Sequence, residues 1–158
     1  RFADAAAKVM EQDDSLHLVC VGGGFHPSEM ELLDKLGIQE RTRCRRVTDE
    51  ELAIAYNRSL AFVYPSEYEG FGLPLLEAFE CKAPVLCADA SCFPEIAGNA
   101  ALYFDPTDTE EMAHKLASIV FHEDERQRLI AAGNERITHF SWRKCAEQTL
   151  ATYRKALV

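Results

Sequence analysis

The chain has 158 residues, a formal net charge of −9 and a pI near 5.0. The length suits a single domain, and 47% hydrophobic against 27% charged residues is the balance of a folded globular chain. The acidity argues against nucleic acid as the main partner, because a phosphate backbone is repelled by such a surface. A single nucleotide stays open, since amides at a helix N-terminus can hold phosphate locally.

Arg1–Met10 reads as a helix, with Phe2, Ala5, Ala6 and Val9 on one face. The apolar runs Leu16–Val21, Leu60–Tyr64, Pro84–Ala88 and Ala100–Phe104 lack period-two alternation. Such runs are expected of parallel strands buried on both faces. Arg41–Val47 makes a poorer fifth strand that would place Arg41, Arg43 and Arg45 on one face. It suits a solvated, charge-protected edge better than a nucleotide-contacting patch. Helix starts are written as a capping residue three positions before a carboxylate: Ser28 with Glu31, Thr48 with Glu51, Asp108 with Glu111. The helix after Asp108 carries Met112, Leu116, Ile119 and Val120 on one face; another opens at Asp124 and runs to about Thr138, and Ser141 caps a last one through Ala156. Strands alternating with helices predict a doubly wound, Rossmann-like α/β domain with helices on both faces of a parallel sheet.

No apolar run approaches the roughly 18 residues of a membrane span, and no signal peptide opens the chain. Cys20, Cys44, Cys81, Cys87, Cys92 and Cys145 form no C-x-x-C pair, and no cysteine–histidine group has zinc spacing. A redox or metal site around Cys81, Cys87 and Cys92 is the functional reading; buried small hydrophobes is the favoured one. No metal is expected. The five scattered histidines read as surface or packing residues.

Ligands of doubly wound sheets lie beyond the carboxyl ends of the strands, and two strand ends carry glycine. Gly22-Gly23-Gly24-Phe25-His26-Pro27 starts like a dinucleotide fingerprint but has Pro27 where the third glycine belongs, so a tight turn is expected. The second end is richer. Tyr64 is followed by a loop holding Glu69, Gly70, Phe71 and Gly72, then Leu73-Pro74-Leu75-Leu76-Glu77, with Pro74 placed to begin a helix. Gly70 and Gly72 allow positive φ or a close backbone approach. The amides of the helix start suit a diphosphate. Glu69 and Glu77 flank that amide cluster, and a carboxylate can accept from both hydroxyls of a vicinal diol. Glutamates that merely answer the helix dipole would explain Glu77 but not the whole pattern.

The segment Glu69–Glu77 resembles the Glu-x7-Glu motif of the glycosyltransferase group 1 family (family 4). The resemblance continues through Ala78-Phe79, Pro84-Val85, Phe93–Ala101, Phe104-Asp105-Pro106 and Phe140-Ser141-Trp142. It covers nearly all of the chain from about residue 10. The resemblance implies the C-terminal, nucleotide-sugar-binding domain of a GT-B fold, in a retaining transferase with no required metal or other cofactor. It assigns Glu69 to the donor sugar as the catalytic carboxylate and Glu77 to the ribose. Amides of Phe71, Gly72 and Leu73 would border the sugar, those of Leu75 and Leu76 the phosphate, and the backbone near Arg46 and Val47 the base.

Two departures from the family pattern bear on the site. Lys82 stands where glycine is usual, which predicts a changed turn. Arginines fill a strand that is usually apolar, which leaves the base pocket open. The basic pair that neutralises the diphosphate, the first strand of the domain and the acceptor domain have no counterpart here. The chain is therefore expected to be an N-terminally truncated donor domain, inactive alone, with a break between Leu16–Val21 and Leu60–Tyr64. The implied donor is a GDP- or UDP-linked sugar, with a weak lean to mannose, and the acceptor a polysaccharide or glycolipid. Cytoplasmic placement is expected, with peripheral attachment at the inner membrane face through the acceptor domain. A non-catalytic nucleotide-sugar-binding module and a GT-B epimerase or phosphorylase are the alternatives.

Overall fold

The computed structural model describes residues 1–157 and has five parallel strands among eight helices. In chain order they are α1 (Phe2–Met10), β1 (Leu18–Val21), α2 (Pro27–Lys35), β2 (Thr42–Arg45), α3 (Asp49–Arg58), β3 (Phe62–Tyr64), α4 (Leu73–Glu80), β4 (Val85–Ala88), α5 (Phe93–Ala97), β5 (Ala101–Phe104), α6 (Thr109–Phe121), α7 (Glu123–Ile137) and α8 (Trp142–Ala156).

The strands form two sheets. β1 pairs with β2, aligning Cys20 with Cys44, while β4 lies between β3 and β5, aligning Val63 with Leu86 and Leu86 with Leu102. Among the described residues no strand pairing joins β1 to β3. The order matches the doubly wound 3-2-1-4-5-6 arrangement interrupted at the position of its first strand. Of the strands expected to be buried on both faces, only β4 is so throughout. β1 alternates, with Val19 and Val21 half-exposed on a face that nothing covers.

Packing ties the two sheets into one body. α1 lies against α6 through its alanine-rich face, and Lys8 pairs with Glu110 at the edge. Ala5, Ala6 and Val9 share a core with Val85, Leu86, Phe104 and Ile119. α3 rests on α4, where Asn57 Nδ2 donates to the Cys81 carbonyl at 3.2 Å. α7 comes close enough to α4 that a Cβ on Gly133 would sit 2.9 Å from Phe79 Cδ1. α8 stands away from the core and buries no residue.

Several helix starts follow their capping residues. Thr48 and Glu51 form a reciprocal capping box on α3, Asp108 accepts from the amides of Glu110 and Glu111, and Ser141 accepts from Lys144. α2 departs from the expected Ser28 cap. Its N-cap is His26, whose side chain accepts from the Ser28 amide, while Glu29 reaches back to the His26 amide at 2.6 Å. Pro27 has no N–H and a preset φ, so it takes the first helical position and moves the cap to the residue before it. α5 was not anticipated; five residues are too few to show a helical period.

Arg41 falls in a 3₁₀ turn (Gln39–Arg41) outside β2, so it does not share the strand face with Arg43 and Arg45. Its guanidinium donates to the carbonyls of Met10 (2.9 Å) and Asp13 (3.3 Å), which anchors the end of α1. The turn expected to change at Lys82 is retained. Lys82 takes φ 60°, its amide donates to the Phe79 carbonyl, and Ala83 donates to Ala78. This is a Schellman ending with lysine in the left-handed position that usually belongs to glycine.

Candidate functional site

The site is built on the loop between β3 and α4. Gly72 is its pivot, buried, left-handed at φ 92° and the N-cap of α4. An added Cβ would stand 3.3 Å from both Leu75 Cδ1 and Phe93 Cδ1, so a side chain here would strain the backbone and push both neighbours aside. Gly70 is different, since it has no positive φ and its missing side chain faces open space. Pro74 occupies the second helical position, after Leu73. Among the described residues the amides of Phe71, Gly72 and Leu73 meet no backbone carbonyl, whereas Leu75 donates to the Gly72 carbonyl at 3.0 Å. Leu76 is half-buried in the same first turn.

Glu69 is held by several groups. Ser66 Oγ donates to Glu69 Oε1 at 3.0 Å, in the same loop. Ser91, from the loop after β4, donates its hydroxyl to the Glu69 carbonyl at 2.8 Å and accepts from the Glu69 amide at 3.3 Å. Cys92 Sγ reaches the same carbonyl at 3.4 Å. The Tyr64 phenol is pushed up to about 12, first by burial and then by hydrogen bonding and charge from Glu69. It therefore remains a protonated donor at neutral pH.

Glu77 stands exposed on α4, and the Tyr56 hydroxyl donates to its Oε2 at 3.4 Å. Burial raises the Tyr56 pKa most, and the Glu77 charge raises it further. An aromatic ladder runs beneath both carboxylates. Tyr56 meets Phe62 edge-on at 4.9 Å, Phe62 stacks on Tyr64 at 5.7 Å, and Tyr64 tilts against Phe93 at 5.1 Å. Phe93 is also the ring that crowds Gly72, so the ladder ends under the pivot of the loop.

Arg46 and Val47 follow β2. Among the described residues, no hydrogen bond or ion pair joins them to the Glu69–Glu77 segment. Arg46 is exposed and lies over the first glycine turn, with its Nη2 3.5 Å from the Cβ position of Gly23. Val47 immediately precedes Thr48, the cap of α3. The link from this segment to the glutamates therefore runs along α3 to Tyr56. The glycine turn itself holds Gly24 at φ 118° and leads into the His26 cap.

Two surface hollows lie elsewhere. One of about 390 Å³ is lined by Asp89, Tyr103, Phe104, Asp105, Pro106 and Glu111, and another of about 330 Å³ lies beside α2 and β2. Neither includes Glu69 or Glu77. The convergent polar groups of the glutamate loop mark it as the candidate site. Tyr56, Tyr64, Ser66 and Ser91 were not singled out from sequence. Ser66 alone carried a local signal, three residues before Glu69.

Residues 1–136 match the sequence profile of the glycosyl transferases group 1. The O-antigen chain mannosyltransferase B of Escherichia coli is 39% identical over 108 residues, covering 68% of this chain and 28% of that protein. The crystal structure of the C-terminal domain of a glycosyl transferase group 1 family protein from Francisella tularensis superposes with a TM-score of 0.73 at 23% identity, over 87% of this chain and 76% of that one. The Anabaena protein HepE, in complex with UDP and glucose, superposes with a TM-score of 0.83 at 17% identity, over 98% of this chain and 44% of that one. The fold is that of a GT-B C-terminal domain, and the chain belongs to the glycosyl transferases group 1 family.

Proposed function

We propose that this chain forms the donor-binding half of a retaining glycosyltransferase that uses a nucleoside-diphosphate sugar. The observation that carries the reading is the arrangement of Glu69 and Glu77 on either side of a helix start whose first amides meet no backbone carbonyl. The diphosphate lies beside the first turn of α4, where the helix dipole favours negative charge. Glu77 accepts from the ribose hydroxyls and Glu69 from the sugar. The amides of Phe71, Gly72 and Leu73 border the sugar, those of Leu75 and Leu76 the phosphate, and the backbone at Arg46 and Val47 the base. In the reaction the bond from the anomeric carbon to the diphosphate oxygen breaks, the nucleoside diphosphate leaves with the electron pair, and the acceptor hydroxyl oxygen bonds to the anomeric carbon while its proton passes to the departing phosphate. The helix start stabilises the charge that develops on it. No metal or other cofactor is invoked.

Similarity to an O-antigen chain mannosyltransferase supports mannose as the donor sugar and a polysaccharide as acceptor; GDP as its carrier and a glycolipid acceptor are part of the proposal. HepE, in complex with UDP and glucose, keeps a UDP-linked sugar as the other candidate donor. No helix among the described residues is long and apolar enough to cross a membrane. The test is incubation of the full-length protein with radiolabelled GDP-mannose or UDP-glucose and a lipid-linked oligosaccharide acceptor. The expected product is an acceptor lengthened by one sugar, with the donor's anomeric configuration. Inverted linkage would overturn the retaining assignment, and release of free sugar without transfer would overturn the transferase reading.

A further inference from the structure

Glu77 raises a physical problem that the motif alone does not solve. A glutamate has three rotatable bonds, and holding an exposed one in a single orientation costs conformational entropy at each binding event. Its Oε2 lies 3.4 Å from the Tyr56 hydroxyl, on a helix 21 residues earlier in the chain. Tyr56 is itself well fixed. It is 7% exposed, and its ring is set edge-on against Phe62. Asn57, the next residue, pins α3 to the end of α4 through the Cys81 carbonyl. The phenol is thus a fixed donor to one oxygen of an exposed carboxylate, and among the described residues no hydrogen bond reaches the other oxygen. The same α3 begins one residue beyond Val47, after the Thr48 cap, so one ten-residue helix connects that segment, through Tyr56, with Glu77.

We propose that Tyr56 is a positioning residue for Glu77, holding one carboxylate oxygen so that the other is oriented to receive the ribose diol. The inference rests on the ribose role proposed for Glu77. Burial and the neighbouring carboxylate keep the phenol protonated, so it donates throughout the neutral range. Ser66 stands in the equivalent relation to Glu69, with its hydroxyl on Oε1.

The experiment is titration calorimetry on the full-length protein with GDP and UDP, each beside its 2′,3′-dideoxy analogue. The proteins compared are the parent, Tyr56→Phe, Glu77→Ala and the double variant. Tyr56→Phe keeps the ring that packs on Phe62 and removes only the donor. It should weaken the ribose-bearing nucleotide about fivefold, as expected for loss of one long hydrogen bond to a charged group. It should leave the dideoxy analogue unchanged and add nothing in the Glu77→Ala background. Unchanged affinity for the ribose-bearing nucleotide would overturn the inference. A loss shared by the dideoxy analogue, or persisting when Glu77 is absent, would mark a packing role and overturn it too. If Glu77→Ala itself leaves nucleotide affinity intact, the ribose assignment fails and takes this inference with it. A loss from Glu77→Ala with none from Tyr56→Phe contradicts this inference alone.

Discussion

Ser91 holds Glu69 by its main chain, since one hydroxyl donates to the Glu69 carbonyl at 2.8 Å and accepts from the Glu69 amide at 3.3 Å. Ser91 pays for this position with φ 53°, an unfavourable backbone conformation for a residue with a Cβ. The pair joins the loop after β4 to the loop after β3. Ser91→Ala keeps the same backbone strain but removes both hydrogen bonds. It should destabilise the fold by about 1 kcal/mol and lower kcat about tenfold through misplacement of Glu69. Nucleoside diphosphate affinity should be unchanged. Steady-state kinetics and calorimetry on one preparation check the split.

Gly72→Ala should be damaging in two ways. The residue is left-handed, and the new methyl would meet Leu75 and Phe93 at 3.3 Å. A loss of about 2 kcal/mol in denaturant unfolding is expected from the backbone term and crowding together. Gly70→Ala, with open space around it and no positive φ, should leave stability within about 0.5 kcal/mol.

Lys82→Gly should stabilise the protein. Lysine occupies the left-handed end of α4 at φ 60°, where glycine carries no steric penalty. The gain, about 0.5–1 kcal/mol, is the relieved strain less the extra freedom of glycine in the unfolded chain. It should appear as a higher denaturation midpoint with unchanged slope.

Alkaline pH should weaken the fold through its buried and half-buried phenols. Burial holds the Tyr64 pKa up at about 12 against an ordinary 10.0, and burial also raises Tyr56 and Tyr103. Between those values the folded state keeps protons that the unfolded chain has released. This stabilisation is complete below pH 10 and is lost as pH rises towards 12. Urea unfolding at pH 9, 10 and 11 should show stability falling over the last step. Tyr103→Phe, which removes the 2.6 Å hydrogen bond to the Gly98 carbonyl, should reduce that fall.

The parts of this molecule legible from sequence were those encoded by neighbours in the chain. β4 and β5 announce themselves as apolar runs, and Thr48 with Glu51 caps α3 as its spacing indicates. Ser28 misled because Pro27 outranks it for the helix start. The loop from Glu69 to Glu77 was legible as a motif, but the groups that orient it were not. Tyr56 is 21 residues from Glu77 and Ser91 is 22 from Glu69, so only the completed fold brings them together. Likewise, glycine was the expected residue for the left-handed turn at position 82, and nothing local shows that lysine would keep it.

The most direct test of the account is the division of labour between Glu69 and Glu77. Calorimetry on the full-length protein should compare a nucleoside diphosphate with the corresponding nucleotide sugar, for the parent, Glu69→Ala and Glu77→Ala. Glu77→Ala should weaken both ligands by about 1.5–3 kcal/mol, the range for hydrogen bonds to a charged group. Glu69→Ala should leave the nucleoside diphosphate nearly untouched, weaken the nucleotide sugar and lower kcat more than it raises KM. Equal losses for both ligands in Glu69→Ala, or unchanged nucleoside diphosphate affinity in Glu77→Ala, would contradict it.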